Sequence, residues 1–200
     1  RRSVKETFST ILVGYILGSI SFGILTGKFL KGIDIRKYGS GNAGVTNVYR
    51  TLGKVPAIFV LAGDLLKGIV AAEIGLHLGG INLGMVGGFA AVVGHIYPLF
   101  FGFRGGKGSA TGFGAALVLA PDIMLIAGFT FIMTVILTRY VSLGSILGGV
   151  VSIIFVFVWH KPFPMQIFIV FLSLFVIYRH RTNLVRLYRG EENKIKFNSK

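Results

Sequence analysis

The sequence predicts an all-α integral membrane protein, built as a bundle of transmembrane segments. The chain is 53% hydrophobic and only 14% charged, and its mean hydropathy is +0.76. Apolar runs of nearly membrane-spanning length recur along its 200 residues. A soluble domain of this length would carry more charge. We therefore predict one polytopic membrane domain over residues 1–200, with no separate soluble domain.

Seven apolar segments are predicted, at 8–27, 56–78, 81–101, 110–120, 122–138, 142–159 and 163–178. Most can cross about 30 Å of hydrocarbon as helices rising about 1.5 Å per residue, but 110–120 is too short. We predict that 110–120 and 122–138 form two short tilted helices, broken at Pro121-Asp122. A shallow re-entrant pair over 110–138, with five full spans, is the alternative and has the same sidedness.

The distribution of positive charge predicts the orientation. Most of the 21 basic residues lie between the first two segments, or after the third, the fifth and the seventh. Because short Lys- and Arg-rich loops stay in the cytoplasm, we expect these regions and the C-terminus there, with the N-terminus outside. Three basic residues near the N-terminus, Arg1, Arg2 and Lys5, would favour the opposite orientation. We follow the larger number of basic residues in the four regions above. The net charge of +14 thus favours anionic lipid and anionic substrates as partners, and not nucleic acid.

A polar stretch at 39–50 interrupts the apolar pattern between the first two segments. It combines Gly39, Gly41 and Gly44 with the polar residues Ser40, Asn42, Thr46, Asn47 and Arg50. Closely spaced glycines let main-chain N–H groups approach an anion, and an arginine can bind phosphate oxygens bidentately. We interpret the stretch as a phosphate-binding turn at the membrane surface. The alternative is a glycine-rich turn whose polar groups only satisfy one another.

A second glycine-rich turn follows the third segment and contains Arg104, Gly105, Gly106, Lys107, Gly108 and Thr111. It resembles a Walker A loop only superficially. Gly102 is one residue too close to Lys107, and Gly108 stands where that loop needs a magnesium-binding hydroxyl. A lysine turn opening onto a helix still favours an anion. The alternative is a topology anchor with a glycine hinge.

A third polar stretch, 179–192, follows the last segment. Its arginines alone could be a solvated juxtamembrane anchor, which is the commoner case. His180 and Asn183 would share one helix face, at i and i+3, and anchoring requires neither of them.

Polar residues are also expected within the membrane. Asp64 and Lys67 lie three residues apart in the second segment. An intramembrane charge indicates a functional site, and a mutual ion pair facing the bundle interior is an equally weighted alternative. His95, near the end of the third segment, is a weaker candidate, because such a histidine more often serves packing.

Taken in order, the three stretches resemble the cytoplasmic motifs of the bacterial acyl-phosphate:glycerol-3-phosphate acyltransferases, the PlsY family. The matching residues are Ser40, Gly41, Asn42, Gly44, Thr46, Asn47, Arg50, Gly105, Gly106, Lys107, Gly108, Ala110, Thr111, His180, Arg181, Asn183, Arg186, Leu187, Gly190 and Glu192. The resemblance covers the whole chain; Val45 departs from it, where the family usually has Ala.

The resemblance implies an inner-membrane enzyme with its active site on the cytoplasmic face. It implies transfer of a fatty acyl group from acyl phosphate to the 1-hydroxyl of glycerol 3-phosphate, giving lysophosphatidic acid and phosphate. This is the first step of phospholipid synthesis. No cofactor or metal is implied, and an upstream acyl-phosphate-forming enzyme is a candidate partner.

The resemblance also implies residue roles. Glycerol 3-phosphate is expected on the second motif, and the acyl phosphate or forming oxyanion on the first, although which turn holds which phosphate stays open. His180 and Asn183 would orient the hydroxyl, with Glu192 supporting them. The expected catalytic residues are Ser40, Asn42, Arg50, Lys107, His180 and Asn183. The expected substrate-binding residues are Gly39, Gly41, Gly44, Thr46, Asn47, Lys67, His95, Arg104, Gly105, Gly106, Gly108, Thr111, Ser142 and Glu192.

The residues themselves favour a direct transfer. None of the four histidines has an aspartate five residues later, so the histidine-base mechanism of other glycerolipid acyltransferases is not expected. The chain has no cysteine and no evident Ser–His–Asp order, so a covalent acyl-enzyme is poorly supported. We predict a single displacement in which the departing phosphate accepts the hydroxyl proton.

Two other functions would fit parts of the pattern. A transporter of a phosphorylated anion would suit the intramembrane lysine and the basic loops, but the motifs gather on one face and no inverted repeat is evident. A basic scaffold that recruits anionic lipid would not need the asparagines and glycines.

Overall fold

The computed structural model describes residues 2–195. Residue 1 and residues 196–200, which carry part of the predicted terminal charge, lie outside the described residues. Within residues 2–195 the chain is helical, with two 3-10 turns and no strand, which confirms the all-α prediction. The chain forms two compact units, Arg1–Leu119 and Ala120–Lys200. The prediction of a single membrane domain stays a prediction.

The first unit contains α1 (Arg2–Ser19), α2 (Phe22–Lys31), α3 (Val45–Leu52), α4 (Lys54–Ile96) and α5 (Ser109–Leu119), with 3-10 turns at Ile35–Lys37 and Leu99–Phe101. The second unit contains α6 (Pro121–Thr138), α7 (Val141–Val158), α8 (Phe163–Arg179) and α9 (Arg181–Tyr188). The predicted break at Pro121-Asp122 is present, because α5 ends at Leu119 and Pro121 begins α6.

The first apolar segment is not one continuous helix, unlike the prediction for 8–27. It breaks at Ile20 and Ser21, where Ser21 has extended geometry with φ −90° and ψ 92°. Serine competes with helical hydrogen bonding, and Ser19 binds back to the main-chain oxygen of Tyr15 at 2.8 Å. A distant side chain, that of Lys67, satisfies the carbonyl of Ile20 at 2.9 Å.

The long helix α4 reverses direction at Gly79 and Gly80. Gly80 has φ 74° and ψ −165°, which suits a residue without a Cβ. The two halves then pack antiparallel, since a Cβ added at Gly75 would overlap the main chain of Leu83 and one at Gly87 would overlap that of Ala71. The reversal lies at the predicted boundary between 56–78 and 81–101.

Four helical stretches within the described residues are long and apolar enough to cross a membrane: Ser3–Lys31, Lys54–Phe101, Pro121–Thr138 and Val141–Val158. A fifth is added if α8 and α9, which are bent by 57°, count as one span. Lys54–Phe101 is the stretch that reverses at Gly80, and α5 is a shorter apolar helix of 11 residues. The number of seven segments stays a prediction.

Small residues allow the helices to approach closely, as membrane helices require. In the first unit, a Cβ at Gly18 of α1 would overlap Ala91 of α4, and one at Gly68 of α4 would overlap Thr111 of α5. In the second unit, a Cβ at Gly148 of α7 would come within 3.3 Å of Ala127 in α6. The packing of α5 on α4 brings Thr111 beside the polar residues of α4.

Candidate active site

The first motif folds around the buried side chain of Asn47, which is 1% exposed. Its amide nitrogen donates to the main-chain oxygens of Ile35 and Tyr38, both at 3.0 Å, and of Asn42 at 2.9 Å. Its amide oxygen accepts the N–H of Ser40 at 2.8 Å. Asn47 therefore organises the loop from within, and direct contact between Asn47 and a substrate stays a prediction.

The glycines of this motif are required by its turns. Gly39 and Gly41 have φ values of 58° and 72°, and a Cβ at Gly39 would overlap the Asn47 amide oxygen. The Asn42 side-chain oxygen accepts the N–H of Gly44 at 2.9 Å, an Asx turn that leads into α3. The motif is thus an ordered turn followed by a helix, whereas the sequence predicted only the turn.

The motif has one apolar face and one polar face. The apolar side packs on a buried cluster made of Ile24, Ile35, Ala43, Val48, Ala57 and Val60. Ser40 and Arg50 are exposed, while Asn42 and Thr46 are half-buried. Four predicted polar site residues are therefore accessible, two on the turn and two on α3, and the turn is held from inside by Asn47.

Arg36, three residues before the first motif, contacts both the loop that leads into the second motif and the first residue of that motif. Its Nε and Nη2 atoms contact the Asp34 carboxylate at 3.0 and 2.7 Å. Its Nη1 donates to the main-chain oxygens of Phe101, at 2.6 Å, and Arg104, at 2.9 Å. The Arg36 hydrogen bond lowers the pKa of Asp34, against the opposing effect of burial. In the sequence, Arg36 is one of the basic residues between the first two segments, which predicted only the orientation; the acidic residue two positions earlier was the available signal for the ion pair.

The second motif folds back onto the end of α4. The N–H of Gly105 donates to the Ile96 oxygen at 3.0 Å, and the N–H of Gly106 to the His95 oxygen at 3.1 Å. A Cβ at Gly105 would overlap the His95 carbonyl, and one at Gly106 would overlap the His95 ring. These glycines therefore serve close packing, and contact between their N–H groups and a phosphate stays a prediction.

The turn then leads into α5. Gly108 has φ 87°, and its oxygen accepts the N–H of Gly112 at 2.7 Å. Arg104 is exposed and Lys107 is half-buried. Thr111 is fully buried in the first turn of α5.

A cluster of polar side chains lies behind this turn. The Asp64 Oδ1 is 2.8 Å from Lys67 Nζ and 3.4 Å from His95 Nδ1. The Thr111 hydroxyl is 3.2 Å from the same His95 nitrogen. All four residues are less than 9% exposed. Lys67 and His95, both predicted to bind substrate, thus belong to a buried network with Asp64.

In the second unit, two predicted residues, Ser142 and Asn183, contact the carboxylate of a third, Glu192, whose side chain is 5% exposed. Its Oε1 accepts from the Ser142 hydroxyl at 3.0 Å and from the Asn183 amide at 2.8 Å. Its Oε2 accepts from Arg186 Nε at 2.8 Å. Burial raises the pKa of Glu192, but these three hydrogen bonds outweigh it, so the pKa lies below its usual value. Glu192 therefore remains ionised at neutral pH and orients Asn183.

His180 has a defined tautomer. Its Nδ1 lies 2.8 Å from the main-chain oxygen of Val176. A carbonyl oxygen can only accept, so Nδ1 carries the proton and, in the neutral ring, Nε2 is the acceptor nitrogen. The ring can then accept a hydrogen bond through Nε2, as a hydroxyl-orienting residue must.

The sequence is similar to one family of enzymes. Residues 8–190 match the model of the family described as glycerol-3-phosphate acyltransferase. The glycerol-3-phosphate acyltransferase of Desulforamulus reducens is 45% identical over 194 residues, covering 96% of this chain and 97% of that protein. The enzyme of the same name from Bacillus subtilis is 41% identical over 187 residues, covering 94% of this chain and 96% of that protein.

The fold is similar to solved structures of an enzyme with this activity. The crystal structure of the integral membrane glycerol 3-phosphate acyltransferase PlsY (YgiH) in its glycerol 3-phosphate form is 39% identical, with a TM-score of 0.90. The match covers 95% of this chain and 96% of the PlsY chain. The lysophosphatidic acid form is 38% identical, with a TM-score of 0.87 and 95% coverage of both chains.

Proposed function

Because the chain belongs to the glycerol-3-phosphate acyltransferase family that includes PlsY, we propose that its acyl donor is a fatty acyl phosphate. The enzyme transfers the acyl group to the 1-hydroxyl of glycerol 3-phosphate. The main support for glycerol 3-phosphate as acceptor and lysophosphatidic acid as product is the similarity to PlsY over 95% of this chain. PlsY was solved in a glycerol 3-phosphate form and in a lysophosphatidic acid form. The donor is supported by the three motifs, which match the acyl-phosphate-dependent family.

The two motifs of the first unit supply the charge that two phosphates need. We propose that Lys107 binds the phosphate of glycerol 3-phosphate, with Arg104 at the exposed side of the same turn. Arg50 and Ser40, both exposed on the first motif, bind the acyl phosphate. A planar guanidinium suits bidentate contact with phosphate oxygens. Thr111 is fully buried against His95, so we assign it to support of the turn.

We propose that His180 and Asn183 orient the acceptor hydroxyl. With Nδ1 bound to the Val176 carbonyl, the His180 Nε2 can accept the hydroxyl hydrogen bond. The Asn183 amide is held by Glu192 at 2.8 Å, which supports a fixed orientation. Neither residue forms a covalent bond in the proposed reaction.

The reaction is a single displacement. The 1-oxygen of glycerol 3-phosphate bonds to the acyl carbon, and the bond between that carbon and the phosphate oxygen breaks. The hydroxyl proton passes to the departing phosphate, so atoms and charge balance without another reactant. The protein contributes proximity of the two substrates and stabilisation of the negative charge.

The same proposal implies where the protein lies in the cell. The protein is a multi-pass membrane protein, and we propose that it lies in a bacterial inner membrane with its basic motifs on the cytoplasmic face. An enzyme that forms acyl phosphate must act before it. A transporter of a phosphorylated anion, the alternative, has no support from the family.

The test measures both products in one reaction. Purified protein is mixed with palmitoyl phosphate and radiolabelled glycerol 3-phosphate, and lysophosphatidic acid and phosphate are quantified. We expect equal amounts of the two products, and no phosphate burst when glycerol 3-phosphate is omitted. A burst equal to the enzyme concentration would indicate an acyl-enzyme. Uptake of labelled glycerol 3-phosphate into liposomes without acylation would instead support the transporter.

A further inference from the structure

The ring of His95 leaves no room for a side chain at position 106. A Cβ added at Gly106 would overlap His95 Nε2, with the neighbouring ring carbons at 2.9 and 3.0 Å. The same residue holds the turn through its main chain, because the His95 oxygen accepts the Gly106 N–H at 3.1 Å. His95 thus contacts the second motif immediately before Lys107, through both its ring and its carbonyl.

The other side of the ring is held in place. His95 Nδ1 lies 3.4 Å from the Asp64 carboxylate and 3.2 Å from the Thr111 hydroxyl. Asp64 is in turn fixed by the Lys67 ammonium at 2.8 Å. A ring with fixed partners on one edge can only yield to a new methyl group on the other edge by breaking those contacts.

We propose that His95 is a positioning residue for the second motif, which sets the main chain at Gly106 and thereby the place of Lys107. Position 106 must be glycine because of the His95 ring, and not because a substrate phosphate lies there. The inference rests on the proposed function only in its readout, which is the KM for glycerol 3-phosphate.

The proposal predicts strong coupling between the two positions. Gly106→Ala should raise the KM for glycerol 3-phosphate about tenfold, because the displaced turn binds the acceptor less well in ground and transition state alike. His95→Asn retains a short polar side chain for Asp64 but lacks the ring edge at Gly106. In the His95→Asn background, adding Gly106→Ala should therefore raise the KM no further, whereas independent effects would multiply.

The test is a double-mutant cycle of wild type, Gly106→Ala, His95→Asn and the double variant, with both KM values and kcat measured for each. The KM for palmitoyl phosphate should change less than about twofold throughout. A rise confined to the KM for glycerol 3-phosphate cannot come from a general loss of folding, because fewer folded molecules lower the apparent kcat and leave both KM values unchanged. His95→Ala in place of His95→Asn provides a second cycle if the asparagine variant is not recovered folded. Gly102→Ala is the control for backbone strain in the same loop, because Gly102 has φ 66° but a Cβ there would meet nothing within 4 Å, the His95 ring included. Whatever this strain costs, it should be the same in both backgrounds.

Two results would overturn the inference. Equal increases in KM for Gly106→Ala in the wild-type and His95-substituted backgrounds would show that a ligand, and not the ring, requires the glycine. An increase confined to the donor KM would show that this turn does not serve the acceptor. If wild-type protein transferred nothing from palmitoyl phosphate, the proposed donor would fail instead.

Discussion

The ammonium group of Lys67 lies 2.9 Å from the main-chain oxygen of Ile20, at the break between α1 and α2. A carbonyl freed by a helix break inside a membrane has no water to bind, so a protein group must satisfy it. Asp64, 2.8 Å from the same ammonium, balances the charge. The intramembrane ion pair thus stabilises a broken helix.

Replacing Lys67 with Met should strongly destabilise the protein. The substitution leaves Asp64 as a buried charge without the lysine and the Ile20 carbonyl without its donor, a loss of about 3–5 kcal/mol. The measurement is thermal unfolding of the purified protein in detergent. Adding Asp64→Asn to Lys67→Met should restore part of the loss, because the buried charge is removed.

The exposed pair of Glu73 and His77 is the control for Lys67. It lies on the same helix with side chains 43% and 82% exposed, so Glu73→Gln should leave the melting temperature unchanged. A Lys67→Met variant as stable as Glu73→Gln would contradict the role assigned to Lys67.

Substitution by aspartate should affect thermal stability differently at the two asparagines of the first motif. Asn47→Asp replaces a donor to three carbonyl oxygens with an acceptor, so we expect a loss of about 3 kcal/mol or more in stability. Asn42→Asp keeps the oxygen that accepts the Gly44 N–H and should melt near the wild-type temperature. Thermal unfolding of both variants measures the difference. Equal melting temperatures would mean that Asn47 does not organise the loop.

Arg36→Lys should lower activity although the charge is kept. Lysine cannot contact the Asp34 carboxylate and the two carbonyl oxygens of Phe101 and Arg104 together. Losing part of this connection should reduce kcat/KM about tenfold, the equivalent of one charged hydrogen bond. Lys37→Ala changes an exposed neighbour and should retain full activity. If both variants behaved alike, Arg36 would be only part of the cytoplasmic charge.

The Asp34–Arg36 pair should lose its contribution only in acid. Because the folded pKa of Asp34 is lowered, the carboxylate contributes stability above its unfolded pKa, and this is lost as the pH falls through the folded value. The free energy of unfolding of the wild type should therefore be about 1 kcal/mol larger than that of Asp34→Asn from pH 8 to about 5. This difference in stability should decrease below about pH 4. Melting curves of both proteins across this range test the sign. A difference that narrows between about pH 8 and 6 would contradict the lowered pKa.

Local signals predicted much of the fold. Pro121 ends one helix and begins the next, as a proline at the first helical position does, and the glycine pair at 79–80 marks the reversal of α4. The serines beside Ile20 weaken the helix there, but they do not identify the group that satisfies the freed carbonyl, because that group, Lys67, is 47 residues away. Contact between phosphate and Gly105, Gly106 and Gly108 stays a prediction. The structure also packs Gly106 against the His95 ring and directs the N–H of Gly105 to the Ile96 oxygen. Such contacts depend on how α4 returns beneath the turn, which no local pattern encodes.

The most direct test of the proposed function is the choice of acyl donor. Purified protein is assayed with radiolabelled glycerol 3-phosphate and either palmitoyl phosphate or palmitoyl-CoA, and the lysophosphatidic acid extracted into organic solvent is counted. We expect product with palmitoyl phosphate and none with palmitoyl-CoA freed of acyl phosphate. Comparable rates with the two donors, or product from palmitoyl-CoA alone, would contradict it.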